Sequence, residues 1–249
     1  MAIAFGVDIG GSGIKGAPVD LETGELTAER IKYETPQPST PRAVAKVVAQ
    51  LLADFGDEAA GIPIGITIPS VVARGVTITA ANIDKKWINY PAADTLSSAV
   101  GRPVTLVNDA DAAGLAETHY GAARDKMGLV IVTTLGTGIG TALIYDGILI
   151  PNSELGHMEI DGFEAEKRAA ASVRTNEDLS WAAYTKRLQR LFETFEALFT
   201  PDLLVVGGGV SRNADKYLPS LKLKTPIVPA ELRNDAGIVG AALYAYQRQ

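Results

Sequence analysis

The chain has 249 residues, of which 47% are hydrophobic and 21% charged, and its formal net charge is −6. This length allows one large domain or two smaller lobes, and the composition is that of a folded globular protein, which excludes disorder as the main state. The negative charge argues against broad electrostatic binding of nucleic acid or an anionic membrane, so a bound anion must be held by a local group of residues.

The chain contains no cysteine, which excludes disulfides, a thiol nucleophile and cysteine-ligated zinc. A cytoplasmic protein fits this composition. No run of 18 apolar residues occurs, and the first residues lack the basic and apolar regions of a signal peptide. We therefore expect a protein that neither spans a membrane nor is secreted.

The hydrophobic pattern predicts alternating strands and helices along the chain. A strand over 3–9 is turned by a glycine cluster into a second strand that ends near Val19, and a third strand covers 26–33. A helix over 43–55 and a strand over 62–68 complete a βββαβ order. The later predicted elements are a strand at 103–107, a helix at 110–120, strands at 128–134 and 138–145, a helix at 179–199, a strand at 203–206 and a helix at 236–247.

The second half of the chain repeats the first. Gly11-Ser-Gly-Ile14 aligns with Gly136-Thr-Gly-Ile139, and the strand pattern around them coincides. Two repeats are too few for a solenoid, so the pattern favours two related lobes that each begin with a glycine-tipped hairpin. We expect a smaller N-terminal lobe of residues 1–108 plus the closing helix 236–249, and a larger C-terminal lobe of residues 109–235.

The two glycine clusters are candidate phosphate sites. In Asp8-Ile-Gly-Gly-Ser-Gly-Ile-Lys15, glycines let backbone N–H groups approach an anion, Ser12 supplies a hydroxyl and the lysine balances charge. The motif is neither a Walker A loop nor a dinucleotide fingerprint, because no Gly-Lys-Ser/Thr follows and the next element is a strand. A tight structural hairpin capped by a buried aspartate is the alternative. The second cluster, Leu135-Gly-Thr-Gly-Ile-Gly140, favours ligand binding, because two such tips could clamp a phosphate from both sides.

Between the hairpins, the predicted strand that ends in Asn108 and Asp109 leads into a helix. A carboxylate at this point is well placed to accept a proton from a hydroxyl group. The alternative is that Asn108 or Asp109 caps the helix, and the two roles could coexist in neighbouring residues. Asp111 would complement the dipole of the helix in its first turn.

The segment Glu154-Leu-Gly-His157 places a carboxylate and an imidazole in a loop after the second hairpin. These groups suit hydrogen bonds to a polyhydroxyl ligand, because the carboxylate accepts and the imidazole can donate or accept. A solvated loop and metal ligation are the alternatives. The second histidine of the chain, His119, belongs to a separate predicted helix, so a metal site would need further carboxylates.

Three consecutive glycines, Gly207, Gly208 and Gly209, follow a buried strand and precede a predicted helix. A simple turn needs one or two glycines, so this run favours a ligand that lies against the backbone.

These residues resemble the ROK (repressor, open reading frame, kinase) family of sugar kinases, within the superfamily of actin, hexokinase and Hsp70. That family has an Asp-Ile-Gly-Gly-Thr/Ser hairpin, an Asn-Asp pair, a Gly-Thr-Gly-Ile-Gly hairpin, a Glu-Ile/Leu-Gly-His loop and a late Gly-Gly-Gly turn. All five occur here in the same order and span nearly the whole chain. Segments such as Ala81-Asn-Ile-Asp-Lys-Lys-Trp87, Ala169-Ala-Ala-Ser172 and Lys224-Thr-Pro-Ile-Val-Pro229 are most similar to the polyphosphate-dependent glucokinases and polyphosphate/ATP glucomannokinases.

The resemblance implies an α/β, actin-like or hexokinase-type (ribonuclease H-like) duplicated fold with two lobes around a cleft. It also implies phosphoryl transfer to the 6-hydroxyl of glucose or mannose, Mg²⁺ as cofactor, and a homodimer. Asp109 would be the general base. The residues expected to bind the sugar are Asn108, Glu154, His157 and Glu166. The residues expected at the phosphates are Asp8, Gly10, Gly11, Ser12, Lys15, Gly136, Thr137 and Gly138. Gly207, Gly208 and Gly209 would contact a nucleotide.

The wider family follows the Gly-His with a cysteine-rich zinc loop, which this sequence lacks, so no resident zinc or other protein-bound metal is expected. A DNA-binding repressor would need a helix-turn-helix before the first hairpin, but the first strand begins at Ile3. Two further functions would suit the same fold: an actin-like filament protein, and a phosphatase or ATPase that releases phosphate without sugar.

The donor is expected to be inorganic polyphosphate, ATP or both. A long polyanion would need a local basic track on a protein of net charge −6. Candidate residues for the track are Lys167, Arg168, Lys186, Arg187, Arg190, Lys216, Lys222 and Lys224, which could equally form solvated faces.

Overall fold

The computed structural model describes residues 2–249. Its strands are β1 (Ile3–Ile9), β2 (Gly13–Asp20), β3 (Ile31–Glu34), β4 (Ile64–Ile68), β5 (Val72–Ala73), β6 (Val76–Thr77), β7 (Thr105–Asn108), β8 (Leu129–Leu135), β9 (Ile139–Tyr145), β10 (Ile148–Ile150), β11 (Glu159–Ile160), β12 (Phe163–Glu164), β13 (Leu203–Gly207) and β14 (Ile227–Pro229). Its α-helices are α1 (Pro41–Phe55), α2 (Ala92–Val100), α3 (Asp109–Tyr120), α4 (Glu166–Ala169), α5 (Ala171–Asn176), α6 (Trp181–Phe199) and α7 (Ala236–Tyr246). No helix within residues 2–249 has the length and apolar character needed to cross a membrane.

The chain forms two compact units: unit 1 comprises Met1–Ala116 and Asp235–Gln249, and unit 2 comprises Glu117–Asn234. Unit 1 contains a five-stranded sheet with the strand order β3-β2-β1-β4-β7. β1 is antiparallel to β2 and parallel to β4, and β7 continues the sheet in parallel with β4. The carboxyl ends of β1, β4 and β7 therefore lie at one edge of the sheet, where ligands of open α/β sheets usually bind.

Unit 2 contains a second five-stranded sheet with the order β10-β9-β8-β13-β14. β8 is antiparallel to β9 and parallel to β13, which reproduces the arrangement of β1, β2 and β4 in unit 1. The main core of unit 2 packs α6 against this sheet, with Leu188, Phe192 and Phe195 buried among Ile131 and Leu204. This repeated sheet plan confirms the predicted duplicated, actin-like α/β fold.

Helix α7 packs against the sheet of unit 1 at unusually short range. A Cβ atom on Gly65 of β4 would lie 1.8 Å from the carbonyl oxygen of Ala241, so only glycine fits there. Ile238, Val239 and Leu243 of α7 are buried. The last helix of the chain is thus part of the core built by its first strands.

Two details differ from the sequence-based expectations. The third strand begins at Ile31 instead of residue 26, because the preceding residues form turns in which only Leu26 bridges to Val19. Residues 109–116 and Asp235, expected in the second lobe, belong to unit 1, so unit 1 is not the smaller of the two units. The reason is packing: Val107 and Ala112 form a cluster with Ala241 of α7.

Candidate functional site

The first glycine hairpin places a carboxylate beside an ammonium group. Asp8 of β1 lies opposite Lys15 of β2, and Lys15 Nζ is 3.1 Å from Asp8 Oδ2. Thr67 of β4 donates its hydroxyl to Asp8 Oδ1 at 2.7 Å. Gly237 of α7 leaves room for this carboxylate, since a Cβ there would lie 2.8 Å from it. The predicted pair of Asp8 and Lys15 is therefore brought together and held by neighbouring strands.

The tip of this hairpin offers backbone donors. The N–H of Gly10 donates to the carbonyl of Gly13 at 2.9 Å, and Thr35 donates its hydroxyl to the carbonyl of Gly10 at 2.6 Å. Gly11 and Ser12 are exposed, and their N–H groups have no acceptor within residues 2–249. Exposed backbone donors of this kind can bind a phosphate oxygen.

The second hairpin has the same construction in unit 2. The N–H of Gly136 donates to the carbonyl of Gly138 at 3.0 Å, and within residues 2–249 the N–H groups of Thr137 and Gly138 have no acceptor. Ser172 fastens the tip, with its N–H on the carbonyl of Gly136 at 3.0 Å and its hydroxyl on that of Thr137 at 2.6 Å. A Cβ on Gly138 would lie 2.5 Å from Glu166 Oε2, so the glycine gives space to that carboxylate.

Asn108 and Asp109 stand at the junction of β7 and α3. The side-chain oxygen of Asn108 accepts the N–H groups of Ala110 at 2.8 Å and Asp111 at 3.1 Å, and its amide donates to the carbonyl of Ser70 at 3.1 Å. Asn108 is thus the buried cap of α3, with one amide N–H left for a ligand. Asp109 is exposed, and its Oδ1 accepts the N–H of Ala110 at 2.9 Å. The exposed carboxylate keeps accepting capacity for a ligand hydroxyl.

The loop that carries Glu154 and His157 is tied to β9. Thr141 of β9 is buried and donates its hydroxyl to the carbonyl of Ser153 at 2.8 Å, while accepting the N–H of Leu155 at 3.2 Å. The two residues that flank Glu154 are thereby fixed. Sequence inspection does not single out Thr141, because a strand threonine carries no signal of a contact with a distant loop.

Five ionisable groups of unit 2 gather at this loop. His157 contacts Glu164 through Nδ1 and lies 3.5 Å from Glu154 Oε2 through Nε2. The hydrogen bond to Glu164 raises the pKa of His157, and burial raises the pKa of Glu154. Lys167 lies 3.3 Å from Glu166 Oε1 and 3.9 Å from Glu164 Oε2. These contacts bring together the expected sugar-binding residues Glu154, His157 and Glu166.

Glu164 is the member of this group that sequence reasoning missed. The short β11–β12 hairpin, in which Glu164 pairs with Glu159, brings Glu164 back to His157. No local sequence motif predicts that contact. One ligand atom from each of His157, Glu164 and Glu166 lies within 4.8 Å of the others, a spacing that could hold a divalent ion. Lys167 already compensates both carboxylates, so an ion is not needed to explain their proximity.

The late glycine run ends β13. Gly208 has φ +79°, and a Cβ on it would lie 2.3 Å from the carbonyl oxygen of Leu135, so the turn itself requires this glycine. Gly209 is exposed with open space around it and begins a 3₁₀ helix, Gly209–Lys216, that is kinked at Asn213. Close to this turn lies a cavity of about 480 Å³. Its lining residues are Ala122, Ser211, Arg212, Val228, Pro229, Ala230, Glu231 and Arg233.

Four of the candidate basic residues line one cavity of about 310 Å³ in unit 2: Arg168, Lys186, Arg187 and Arg190. Arg187 pairs with Glu177 at 2.6 Å, and Arg190 binds both oxygens of Asp161 at 2.7 and 2.8 Å. Arg168 lies over the ring of Phe163, with 4.4 Å from Cζ to the ring centroid.

Comparisons with known proteins agree with this arrangement of motifs. Residues 4–172 match the model of the ROK family. A polyphosphate glucokinase of Mycobacterium tuberculosis (strain CDC 1551 / Oshkosh) is 53% identical over 240 residues, which cover 96% of this chain and 89% of the relative.

Two crystal structures extend the similarity to three dimensions. An inorganic polyphosphate/ATP-glucomannokinase from Arthrobacter sp. strain KM is 52% identical and superimposes with a TM-score of 0.95 over 100% of both chains. A ROK family glucokinase from Streptomyces griseus, in complex with glucose and AMPPNP, is 25% identical, with a TM-score of 0.83 over 99% of this chain and 100% of that one. Since the family model covers most of the chain and the 53% identical relative matches 96% of it, the chain belongs to the ROK family.

Proposed function

We propose that this protein is a sugar kinase that phosphorylates the 6-hydroxyl of glucose, with mannose as a second acceptor and inorganic polyphosphate or ATP as donor. The observation that carries the proposal is the exposed carboxylate of Asp109 at the carboxyl end of β7, in a fold with two glycine hairpins of one construction. Similarity to polyphosphate glucokinases and to a polyphosphate/ATP-glucomannokinase supports the choice of substrates.

In this reaction Asp109 accepts the proton of the 6-hydroxyl as the oxygen attacks the terminal phosphorus of the donor. The bond between that phosphorus and its bridging oxygen breaks, and the leaving group is a polyphosphate one unit shorter, or ADP. Phosphoryl transfer depends mainly on positioning and charge stabilisation. The protein must therefore supply mainly a carboxylate base and groups that position the phosphates and offset their charge.

The hairpins would hold the phosphates. The N–H groups of Gly11 and Ser12 and those of Thr137 and Gly138 can donate to phosphate oxygens, and Lys15 adds a positive charge next to Asp8. Gly10 and Gly136 close the two tips through their own hydrogen bonds. With ATP as donor, the run Gly207–Gly209 and the adjoining cavity would receive the nucleoside, since Gly209 leaves its backbone uncovered.

Mg²⁺ is the divalent ion that we expect to accompany the donor. The carboxylate of Asp8 and the hydroxyl of Thr67 fit it, because Mg²⁺ prefers oxygen ligands and carboxylates in particular. Bound there with the donor, the ion would offset the negative charge of the phosphates.

The sugar would be recognised by polar groups that are already oriented. Asn108 has one free amide N–H, while Glu154 and Glu166 can accept hydrogen bonds from sugar hydroxyl groups. Glu164 holds Nδ1 of His157, so Nε2, which lies 3.5 Å from Glu154 Oε2, is the ring atom that would share a ligand hydroxyl with Glu154. Thr141 keeps the loop of Glu154 and His157 in place.

The decisive experiment measures glucose 6-phosphate formation with ATP and with long-chain polyphosphate in parallel, in the presence of Mg²⁺. We expect product with at least polyphosphate, and no phosphate release when glucose is omitted. Phosphate release that does not require sugar would instead identify a phosphatase or ATPase. A homodimer and a cytoplasmic location stay predictions, which sedimentation and cell fractionation can test.

A further inference from the structure

Two cations in unit 2 share one aromatic ring. The guanidinium carbon of Arg174, in α5, lies 3.9 Å from the ring centroid of Trp181, and Lys216 Nζ lies 5.5 Å from the same centroid. Trp181 is in turn stacked on Tyr217, with the ring planes 10° from parallel and the centroids 5.9 Å apart. The buried Tyr217 thus supports a platform, formed by Trp181, on which two positive charges converge.

These two charges lack a carboxylate at ion-pair distance in the described part of the chain. Within residues 2–249, neither Arg174 nor Lys216 forms an ion pair, whereas Arg187 and Arg190 do. The Nε atom of Arg174 is buried and has no hydrogen-bond partner. Two like charges near one ring, one of them with an unsatisfied buried donor, are an unfavourable arrangement unless an anion joins them.

The position of this pair relates it to the phosphate-binding elements. Arg174 follows Ser172 by two positions, and Ser172 is bonded to the carbonyls of Gly136 and Thr137 at the tip of the second hairpin. Lys216 ends the 3₁₀ helix that begins at Gly209. The two cations are therefore carried by the segments that fasten the second hairpin and follow the late glycine run.

The guanidinium and ammonium groups of these two side chains suit a ligand with several phosphate groups. A guanidinium stacked on an aromatic face keeps its N–H edge available for two parallel hydrogen bonds to an oxyanion, and the lysine adds a point charge. We propose that Arg174 and Lys216, held on Trp181, form a subsite for phosphate groups of the donor beyond those gripped by the hairpins. This inference rests on the proposed function and specifies a long inorganic polyphosphate chain as the ligand.

Kinetics of charge-neutralising variants test the subsite. Arg174→Gln and Lys216→Gln are compared with Lys126→Gln, a matched control that removes one exposed positive charge of unit 2 outside the candidate basic residues. For Arg174→Gln we expect the KM for long-chain polyphosphate to rise roughly tenfold or more, with the KM for glucose unchanged and the KM for ATP changed less. The slope of log KM against log salt should fall by about one for each charge removed. A polyphosphate KM and salt slope equal to those of the control would overturn the proposal.

A binding measurement separates failure of the subsite from failure of the proposed function. Trp181 is one of two tryptophans, and the second, Trp87, is fully buried in unit 1, so its emission is a constant background. Titration with polyphosphate in the absence of glucose should change the Trp181 emission in a salt-dependent manner, and Arg174→Gln should weaken that response. A clear response in a protein that makes no glucose 6-phosphate would retain the subsite and reject the donor assignment.

If the enzyme is active but its Trp181 emission does not change on addition of polyphosphate, the subsite is rejected and the proposed function is retained. Arg174→Lys addresses a purely structural role, because it keeps the charge but loses the paired hydrogen bonds. It should show an intermediate polyphosphate KM at an unchanged melting temperature. A polyphosphate KM for Arg174→Lys equal to that of the wild type would contradict the paired hydrogen bonds.

Discussion

Asp109 combines exposure with a fixed position, because its neighbour Asn108 supplies the helix cap. We predict that Asp109→Asn lowers kcat by about 10² to 10⁴, the usual effect of removing a general base. Asparagine keeps the oxygen that accepts the N–H of Ala110 at 2.9 Å, so the fold should be unaffected. Steady-state kinetics with calorimetric titration of glucose check this, and glucose affinity should stay within a few-fold of wild type. Turnover near the wild-type rate would show that another group removes the proton.

The contact with Glu164 favours the protonated form of His157 in the loop that carries Glu154 and His157. Because Glu164 raises the pKa of His157, the imidazolium persists above its ordinary range of about 6.5. The stabilisation from this pair is therefore present below about pH 6.5 and is lost as the pH rises through the raised pKa.

Glu164→Gln should lower the pKa of His157 towards its ordinary value and raise the KM for glucose, with little effect on the KM for the donor. An NMR titration of the imidazole signals is practical, because the chain has only two histidines and His157→Asn assigns the signal. The same titration curve for His157 in wild type and variant would contradict the role given to Glu164.

At the scale of elements, each unit places a glycine hairpin at the same position of the same sheet plan. The hairpins differ in how their tips are fastened: Thr35 binds the first, and Ser172 the second. The two hairpins are similar because both segments have glycines between two apolar strands. The residues that hold their tips in place belong to unrelated segments.

The end of α3 is anchored by a buried carboxylate. Glu117 accepts the N–H groups of Ala122 at 2.9 Å, Glu231 at 3.1 Å and Leu232 at 2.8 Å. We predict that Glu117→Gln lowers the free energy of unfolding by about 1–3 kcal/mol, because the amide replaces one acceptor oxygen by a donor facing N–H groups. Urea denaturation measures this. Glu231→Gln is the matched control, since Glu231 is exposed and contributes only its backbone to the contact. Equal losses in the two variants would refute the anchoring role.

At the scale of the whole molecule, unit 1 is assembled from both ends of the chain. Burial of Ile238, Val239 and Leu243 contributes about 1.5–3 kcal/mol each. Their sum is comparable with the entire stability of a domain, about 5–15 kcal/mol. Removal of residues 236–249 should therefore unfold unit 1 rather than shorten it.

Hydrogen exchange tests this truncation, with removal of the exposed Arg248 and Gln249 as the control. We expect residues 2–116 to lose protection in the long truncation and to keep it in the control. Retained protection of β1 and β4 after the long truncation would contradict the proposed dependence on α7.

The sequence by itself determined the features that depend on local chemistry. Glycine clusters between apolar runs indicate hairpins whatever surrounds them, so the bounds of β1, β2, β8 and β9 were predicted to within a few residues. The duplication of the fold was predicted from the same two hairpins. Asp109 was identifiable because a buried strand followed by an acidic helix start is a contiguous pattern. The order of these motifs was enough to indicate the ROK family.

Only the tertiary structure decided which distant side chains meet. The contacts of Glu164 with His157, Thr141 with Ser153, and Arg174 with Trp181 join residues from separate elements. It also showed that Gly208 is required by the close approach of Leu135, and that Asn108 caps α3. Such contacts depend on how strands and helices pack against each other. Local sequence patterns do not specify that packing, because the residues in contact are far apart in the chain.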